Sequence, residues 1–241
     1  MQVPCGKCVG CRADRGMAWM IRMYHESTMH KQNSFLTITY DDNNCPQNIN
    51  KRDLQLFFKR LRKSEGKLRY FACGEYGERT RRPHYHAVIF GHDFRGGAYA
   101  INEKLYGNPK LTQIWGLGQV SIGDVTPESC AYVAGYSVKK ITDPETFNLM
   151  SRRPGIGAGW INRYWDDIAR TGKCIIQGRE YVIPKKYLET YDAEFAQIKE
   201  KRKAFMKNQH PEFVCRRREQ HAVRETNLKS RQSLKHSQEK I

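Results

Sequence analysis

The ten residues from Arg82 to Gly91 constrain the fold of this chain more than any other stretch. They contain His84-Tyr85-His86 and then a short apolar run, rich in Val, Ile and Phe, that the glycine ends. Such a run predicts a buried β-strand. Side chains alternate across a strand, so His84 and His86 share one face and can together bind a divalent metal ion that has one further ligand. Two histidines packed within a core are the alternative.

The preceding segment offers that further ligand. Residues 68–75 predict a strand that ends at Glu75, and a turn then leads into His84. If the two strands pair as a hairpin, Glu75 arrives beside the two histidines. One carboxylate and two imidazoles leave positions open for water or a phosphate oxygen, and this mixed set of nitrogen and oxygen ligands favours Mg²⁺ or Mn²⁺. Glu78, on the turn, is the rival ligand.

Apolar patterns on both sides of this hairpin predict an α+β fold. Strands are predicted at residues 35–40 and 118–123, and a helix is predicted from an N-cap at Asn50 to about residue 64. The apolar residues of that helix have the spacing of a face packed on a sheet, and they are Leu54, Phe57, Phe58 and Leu61. We expect a central antiparallel sheet of four or five strands, with helices on one face and the metal site on the other. Residues 91–116 are expected to form an irregular insertion.

Composition and element order predict one domain with appendages. Hydrophobic residues make up 39% of the 241 residues, which suffices for a core. We expect a Cys-rich element and a helix over residues 1–33, the sheet core over 34–142, an extension with helices and a hairpin over 143–198, and a basic tail over 199–241. The tail has few large apolar residues and is expected to be disordered or to fold only when bound.

The charge of the chain indicates its class of partner. A net charge of +17 favours binding to a polyanion, with nucleic acid the first candidate and a membrane surface the second. No apolar run approaches the length that spans a bilayer, so no membrane-embedded role is expected. Basic residues on the predicted helix and on the turn before the histidines are candidates for DNA contact, although a solvated helix face would look the same: Lys59, Arg60, Arg62, Lys63, Arg81 and Arg82.

The eight cysteines are expected to be reduced thiols or metal ligands, because no secretory signal is present. Cys5, Cys8 and Cys11 are spaced to wrap one soft metal ion, which predicts a structural Zn²⁺. Cys45, Cys73 or a histidine could supply the fourth ligand. Free thiols in a mobile N-terminus are the alternative. Iron–sulfur proteins share the spacing, but the fourth Cys-Pro that they carry nearby is missing.

A second helix carries two tyrosines and a lysine on one face. Thr126 is its predicted N-cap and Pro127 its first residue. Tyr132, Tyr136 and Lys139 follow at intervals of four and three residues, so all three line one side. Two such tyrosines are candidates for nucleophiles, and ordinary packing is the alternative.

The order of these pieces resembles the HUH superfamily of rolling-circle replication initiators. It is most similar to the initiators of microviruses, in particular gokushovirus-like single-stranded DNA phages. The motifs that carry the resemblance, over about residues 3–140, are Pro-Cys-Gly-Lys-Cys-x-x-Cys-Arg from residue 4, Leu-Phe-Phe-Lys-Arg-Leu-Arg-Lys from residue 56, Gly-Glu-Tyr-Gly from residue 74 and Arg-Pro-His-Tyr-His from residue 82.

The resemblance implies a ferredoxin/RRM-like HUH endonuclease fold for residues 34–142. It also implies metal ligands, nucleophiles and an assisting cation, which are respectively Glu75, His84 and His86; Tyr132 and Tyr136; and Lys139. Gly135 departs from related initiators that carry a basic residue before the second tyrosine.

The implied function is metal-dependent, site-specific nicking and strand transfer on single-stranded DNA through a 5′-phosphotyrosine. This reaction would initiate rolling-circle replication of a small circular viral genome. The implied partners are the viral origin and the helicase and polymerase of the host, and the implied location is the cytoplasm of the bacterial host cell. Two alternatives remain open: a non-catalytic single-stranded nucleic-acid-binding protein with a structural zinc, and an HUH transposase.

Overall fold

The computed structural model of the chain describes residues 5–77, 80–139, 146–207, 222–223, 225–227 and 229–230. The chain divides into two units, one of Gly16–Tyr164 and one of Met1–Arg15 with Trp165–Ile241. Two helices, α1 (Val9–Thr28) and α5 (Ala158–Thr171), run across the boundaries between the units. Within the described part, no helix has both the length and the apolar character that crossing a bilayer requires.

The larger unit is built on one seven-stranded antiparallel sheet. Its further helices are α2 (Lys51–Glu65), α3 (Pro109–Trp115) and α4 (Pro127–Lys139). Its strands are β1 (Asn33–Tyr40), β2 (Arg69–Tyr76), β3 (Pro83–Phe90), β4 (Tyr99–Ala100), β5 (Tyr106–Gly107), β6 (Gly118–Gly123) and β7 (Phe147–Met150). They lie in the order β4-β5-β6-β1-β3-β2-β7, so that β1, β3 and β2 occupy the centre.

One face of the sheet, here called the core face, packs against α2 and α3. Asn50 begins α2 as predicted, because its side chain accepts a hydrogen bond from the Arg52 backbone N–H at 2.9 Å. The four apolar residues of the predicted stripe are fully buried with Leu36 and Ile38 of β1: Leu54, Phe57, Phe58 and Leu61. Trp115, at the end of α3, is buried in the same cluster. The prediction of an α+β fold with this helix on the sheet is confirmed.

The opposite face, here called the site face, carries His84 and His86 and is also partly covered by helices. Trp19 of α1 packs on Phe71 of β2, with ring centroids 5.0 Å apart. Helix α4 lies over β2 and β3 on this face, where Tyr132 reaches His86. The expectation that helices occupy one face and the metal site the other therefore describes α2 and α3 but not α1 and α4.

The sheet is larger than the four or five predicted strands, and residues 91–116 are more regular than expected. Strands β4 and β5 have two residues each and β7 has four, which is too short for a detectable alternation. Helix α3 has the N-cap Asn108, whose side chain accepts from the Leu111 N–H at 3.1 Å, and Pro109 follows it. That Asn-Pro pair is a helix-start signal within the segment expected to be irregular.

The described part of the smaller unit consists of short elements. The predicted hairpin forms as β8 (Cys174–Ile176) and β9 (Arg179–Tyr181), with Gln177 and Gly178 between them at φ 48° and 73°. Positive φ at both turn positions matches the twist of paired strands. The helix predicted from 187 to 206 is instead two helices, α6 (Lys185–Thr190) and α7 (Ala196–Lys207). Most of the predicted tail lies outside the described residues.

Candidate metal centre and tyrosine pair

The register of β2 against β3 brings the predicted metal ligands together. Glu75 lies opposite His84 and Cys73 lies opposite His86 in the antiparallel pair. Residues opposite each other share a face, and alternate residues along one strand do as well. Glu75, His84 and His86 are therefore neighbours on the site face, as the hairpin predicted.

The three side chains form a compact set of possible ligands. Glu75 Oε1 lies 2.9 Å from His84 Nε2 and 2.9 Å from His86 Nε2. One ligand atom from each residue lies within 4.8 Å of the other two. This spacing allows two imidazole nitrogens and a carboxylate oxygen to close on one divalent ion, and the donor set fits Mg²⁺ or Mn²⁺. The rival ligand Glu78 lies outside the described residues.

Burial and hydrogen bonding set the charges of this group. Burial alone would raise the pKa of Glu75, but hydrogen bonds from His84 and His86 outweigh it and the pKa is lowered. Burial lowers the pKa of His86, and the bond to Glu75 offsets this only in part. A carboxylate with lowered pKa and an imidazole with lowered pKa are in the deprotonated forms that bind metals at neutral pH.

Each histidine is oriented through its other ring nitrogen. His84 Nδ1 lies 3.2 Å from the backbone oxygen of Arg82, so Nδ1 carries the proton and Nε2 keeps its lone pair. His86 Nδ1 lies 3.2 Å from Thr37 Oγ1 on β1. Phe35, two residues before Thr37, stacks on the His86 ring with centroids 5.6 Å apart. Such contacts behind a ligand fix its tautomer and its ring plane.

The two tyrosines of α4 lie beside the histidines. The predicted cap forms, since Thr126 Oγ1 accepts from the Ser129 N–H at 3.2 Å. Tyr132 Oη lies 3.4 Å from His86 Nε2. The Tyr136 ring stacks on the His86 ring at 6.0 Å and lies 4.9 Å from the Tyr132 ring. The structure thus brings both tyrosines to the Glu75-His84-His86 group.

The environments of the two tyrosines differ. Tyr132 is 44% exposed, whereas Tyr136 is half-buried. Burial, followed by a hydrogen bond with Tyr132, raises the pKa of Tyr136. Lys139 ends α4, and its side chain lies outside the described part of the structure.

The three N-terminal cysteines form a separate cluster in the smaller unit. Cys5 Sγ and Cys11 Sγ are 4.0 Å apart, and all three thiols lie within 4.8 Å of one another. The Cys8 N–H donates to Cys5 Sγ at 3.3 Å and the Cys11 N–H donates to Cys8 Sγ at 3.5 Å. Backbone hydrogen bonds from Cys8 and Lys7 lower the pKa of Cys5 to about 7, which favours the thiolate that binds metals. Cys45 and Cys73 belong to the larger unit, and the fourth ligand stays a prediction.

The predicted DNA-contacting residues lie in two places. Four of them are on α2, at the core face, and are Lys59, Arg60, Arg62 and Lys63. Arg60 there holds the end of α3, because Nε donates to the Ile114 oxygen at 2.7 Å and Nη2 to the Trp115 oxygen at 2.8 Å. Arg81 and Arg82 precede β3; the Arg81 guanidinium lies 4.7 Å from the centre of the Tyr76 ring, and Arg82 pairs with Asp42. DNA contact by these six residues stays a prediction.

Sequence reasoning missed two residues behind the site, Thr37 and Phe35. Both are on β1, which pairs with β3 so that Thr37 lies opposite His86. The signal was the alternation in β1, which places Phe35, Thr37 and Thr39 on one face. It could not be used without knowing that β1 is the neighbour of β3.

Comparisons with known proteins agree with this architecture. The family model of the replication-associated protein ORF2 matches residues 33–141, which run from β1 through α4. The replication-associated protein VP4 of Bdellovibrio phage phiMH2K is 33% identical over 212 residues, which are 78% of this chain and 67% of that protein. The chain therefore belongs to the family of phage replication-associated proteins.

Two further relatives support the same assignment. The replication-associated protein ORF4 of Chlamydia phage 1 is 28% identical over 80% of this chain and 56% of its own length. The ORF2 protein of Spiroplasma virus 4, also named replication-associated, is 28% identical over 85% of this chain and 74% of its own length. The chain thus spans little more than half of the Chlamydia phage protein. No solved structure matches the chain significantly. The resemblance to the replication initiators of microviruses is confirmed.

Proposed function

We propose that this protein nicks single-stranded DNA at a specific site and transfers the strand through a 5′-phosphotyrosine, and that it thereby initiates rolling-circle replication of a small circular phage genome. The observation that carries the proposal is the position of Tyr132 Oη, 3.4 Å from the Nε2 atom of His86 within the Glu75-His84-His86 group. A nucleophile and a metal-binding group in hydrogen-bond contact can act on the same phosphate.

Glu75, His84 and His86 would hold Mg²⁺ or Mn²⁺. Such an ion, when bound, withdraws negative charge from the oxygens of the scissile phosphate. Glu75 supplies the negative charge of the ligand set, and the two imidazoles supply neutral nitrogen donors.

The tyrosine supplies the covalent step. Its oxygen forms a bond to phosphorus, the bond from phosphorus to the 3′-oxygen breaks, and the phenol proton ends on the departing 3′-hydroxyl. One phosphodiester replaces another, so the 5′-phosphotyrosine can be resealed by a 3′-hydroxyl. The free 3′-end is the primer that a host polymerase extends, in the cytoplasm of the infected bacterium.

The second tyrosine allows the reaction to be repeated. Tyr132 and Tyr136 are one helical turn apart, and their rings are 4.9 Å apart. One can keep the old 5′-end while the other cuts the newly made junction. Lys139 would assist by stabilising a phenolate or a phosphate oxygen. The excess positive charge, including Arg81 and Arg82 before β3, would hold the strand through its phosphates.

The cysteine cluster has a different role in this proposal. Cys5, Cys8 and Cys11 would bind a structural Zn²⁺ that fixes the start of α1, with the fourth position taken by another residue or by water.

The test is the search for a covalent adduct. Circular single-stranded DNA is incubated with the protein and Mn²⁺, and a denaturing gel separates protein–DNA adducts. Wild type is compared with Tyr132→Phe, Tyr136→Phe and the double variant, with EDTA as the metal control. We expect an adduct in the wild type that EDTA and the double variant abolish. Nicking that persists in the double variant would refute the proposal, and DNA binding without any adduct would favour the non-catalytic binding protein.

A further inference from the structure

A single row of residues crosses the site face from the metal-ligand group to the edge of the sheet. In the strand registers, His86 of β3 lies opposite Thr37 of β1, Thr37 opposite Ser121 of β6, Ser121 opposite Gly107 of β5, and Gly107 opposite Tyr99 of β4. Directly opposed residues share a face, so the whole row belongs to the site face. With neighbouring strands about 4.8 Å apart, the row spans about 19 Å, a length that several nucleotides can occupy.

The middle of this row is polar and made of small residues. Thr37 and Ser121 are half-buried, and the adjacent row continues with Thr39 opposite Gln119, whose side chain is exposed. Hydroxyl and amide groups can donate and accept hydrogen bonds to bases, sugars and phosphates. This part of the sheet thus forms a shallow polar surface that continues directly from the site.

The far end of the row is an exposed aromatic ring. Tyr99 is 54% exposed. Its ring packs on Gly107 so closely that a Cβ on that glycine would lie 2.4 Å from the ring carbon Cζ. The glycine lets one side of the ring rest on the backbone of β5, which leaves the other side to the solvent. A flat ring held in this way is a platform on which a base can stack.

The segment between β4 and β5 borders the surface on one side. A Cβ on Gly123 of β6 would lie 3.4 Å from Leu105, 3.7 Å from Phe35 and 4.0 Å from the backbone oxygen of Lys104. Phe35 is the residue that stacks on His86, and the Lys104 side chain is exposed. The border therefore runs from the site to the hairpin and carries a cation.

We propose that this row binds the single-stranded DNA next to the scissile phosphate, and that Tyr99 stacks on one of its bases. The inference rests on the proposed function, because continuity with the site is what selects single-stranded DNA as the occupant. A strand whose phosphate lies at His84 and His86 can cross Thr37 and Ser121 and reach the Tyr99 ring. Stacking tolerates any base, so Tyr99 adds affinity and fixes the register of the strand.

The experiment measures binding without catalysis. Fluorescence anisotropy with labelled oligothymidylates of 4 to 16 nucleotides is recorded in EDTA, over a range of salt concentrations. Tyr99→Leu keeps apolar cover over Gly107 but removes the ring, and Tyr99→Trp keeps a ring. We expect Tyr99→Leu to weaken binding of the longer oligonucleotides about tenfold or more, and Tyr99→Trp to bind as the wild type does. The dependence of affinity on salt should not change, because no phosphate contact is lost.

A matched control and the adduct assay separate the possible results. Ile101→Ala, at an equally exposed apolar residue of the same segment, should leave affinity unchanged. Wild-type affinity in Tyr99→Leu, or an equal loss in Tyr99→Trp and in Ile101→Ala, would overturn the inference. Loss of the adduct is scored separately on the tyrosines of α4, so the proposed function can fail while the role of Tyr99 in binding stands.

Discussion

Tyr132 Oη lies within hydrogen-bond distance of His86 Nε2, at 3.4 Å, whereas Tyr136 meets the same histidine through its ring face. Because Tyr132 is also the more exposed of the two, we expect it to make the first cut. Tyr132→Phe should slow the first cleavage of a single-stranded oligonucleotide by at least about tenfold, and Tyr136→Phe should affect mainly the later transfer. Single-turnover cleavage, followed by addition of an acceptor strand, measures the two steps. Equal loss of the first step in both variants would contradict this assignment.

Thr37 is expected to position His86 for metal binding. Its hydroxyl lies 3.2 Å from His86 Nδ1, so Thr37→Val removes the contact that fixes the ring. We expect Thr37→Val to weaken Mn²⁺ binding about 10- to 100-fold and Thr37→Ser to restore it. Isothermal titration of Mn²⁺ into the DNA-free protein measures this directly.

Thr39 provides the matched control, because its hydroxyl donates to the Gln119 backbone oxygen at 3.4 Å rather than to a histidine. Thr39→Val should bind Mn²⁺ as the wild type does. A loss of similar size in both variants would indicate general damage to β1 instead of positioning through His86.

The cysteine cluster predicts zinc in the purified protein. We expect about one zinc per chain, and we expect Cys8→Ser to lose it, because Cys8 lies between the other two thiols in the sequence and donates its N–H to Cys5 Sγ. Elemental analysis measures the content, and Co²⁺ substitution reports thiolate ligation by its absorption. Cys45→Ser is a control for general thiol loss and also tests that residue as the fourth ligand. Iron in place of zinc, or unchanged zinc in Cys8→Ser, would count against a structural zinc at these residues.

His25 predicts a loss of stability in mild acid. It is 2% exposed and stacks on Trp160 with ring centroids 3.5 Å apart, and burial lowers its pKa to about 3. The unfolded chain takes up this proton near pH 6.5 and the folded chain does not, so the stabilisation is complete above pH 6.5 and is lost as the pH falls. Between pH 7 and 5 this costs about 2 kcal/mol.

Urea unfolding of the wild type and of His25→Phe at both pH values tests this prediction. Phenylalanine keeps a ring against Trp160 but cannot be protonated, so the variant should lose about 2 kcal/mol less than the wild type over this range. Parallel losses in the two proteins would show that His25 does not titrate in this way.

The metal group was predictable from the sequence because its geometry is local. Glu75 and His84 are joined by one short hairpin, and an antiparallel register places them opposite each other. The tyrosines of α4 are predictable as a pair for the same reason, since helical periodicity alone puts Tyr132 and Tyr136 on one side.

What the sequence did not reveal depends on contacts between distant elements. Thr37 meets His86 across 49 residues of chain, and only the order of strands makes them neighbours. Strand β7 pairs with β2 through four residues that show no alternation of their own. The helices on the site face follow from packing such as Trp19 on Phe71. The continuous apolar run at the end of β3 is the one signal that both of its faces are covered there.

Strand β3 serves two surfaces at once. His84 and His86 face the site, whereas Tyr85 faces the core, where its hydroxyl lies 2.6 Å from that of Tyr40 and donates to the Asn50 oxygen at 2.7 Å. One residue inserted or deleted within β3 would exchange these faces, burying imidazoles among apolar side chains and removing the metal ligands in the same event. The lineage of this strand is thus restricted to replacement of one amino acid by another at constant length. Any change in its length is expected in the flanking turns.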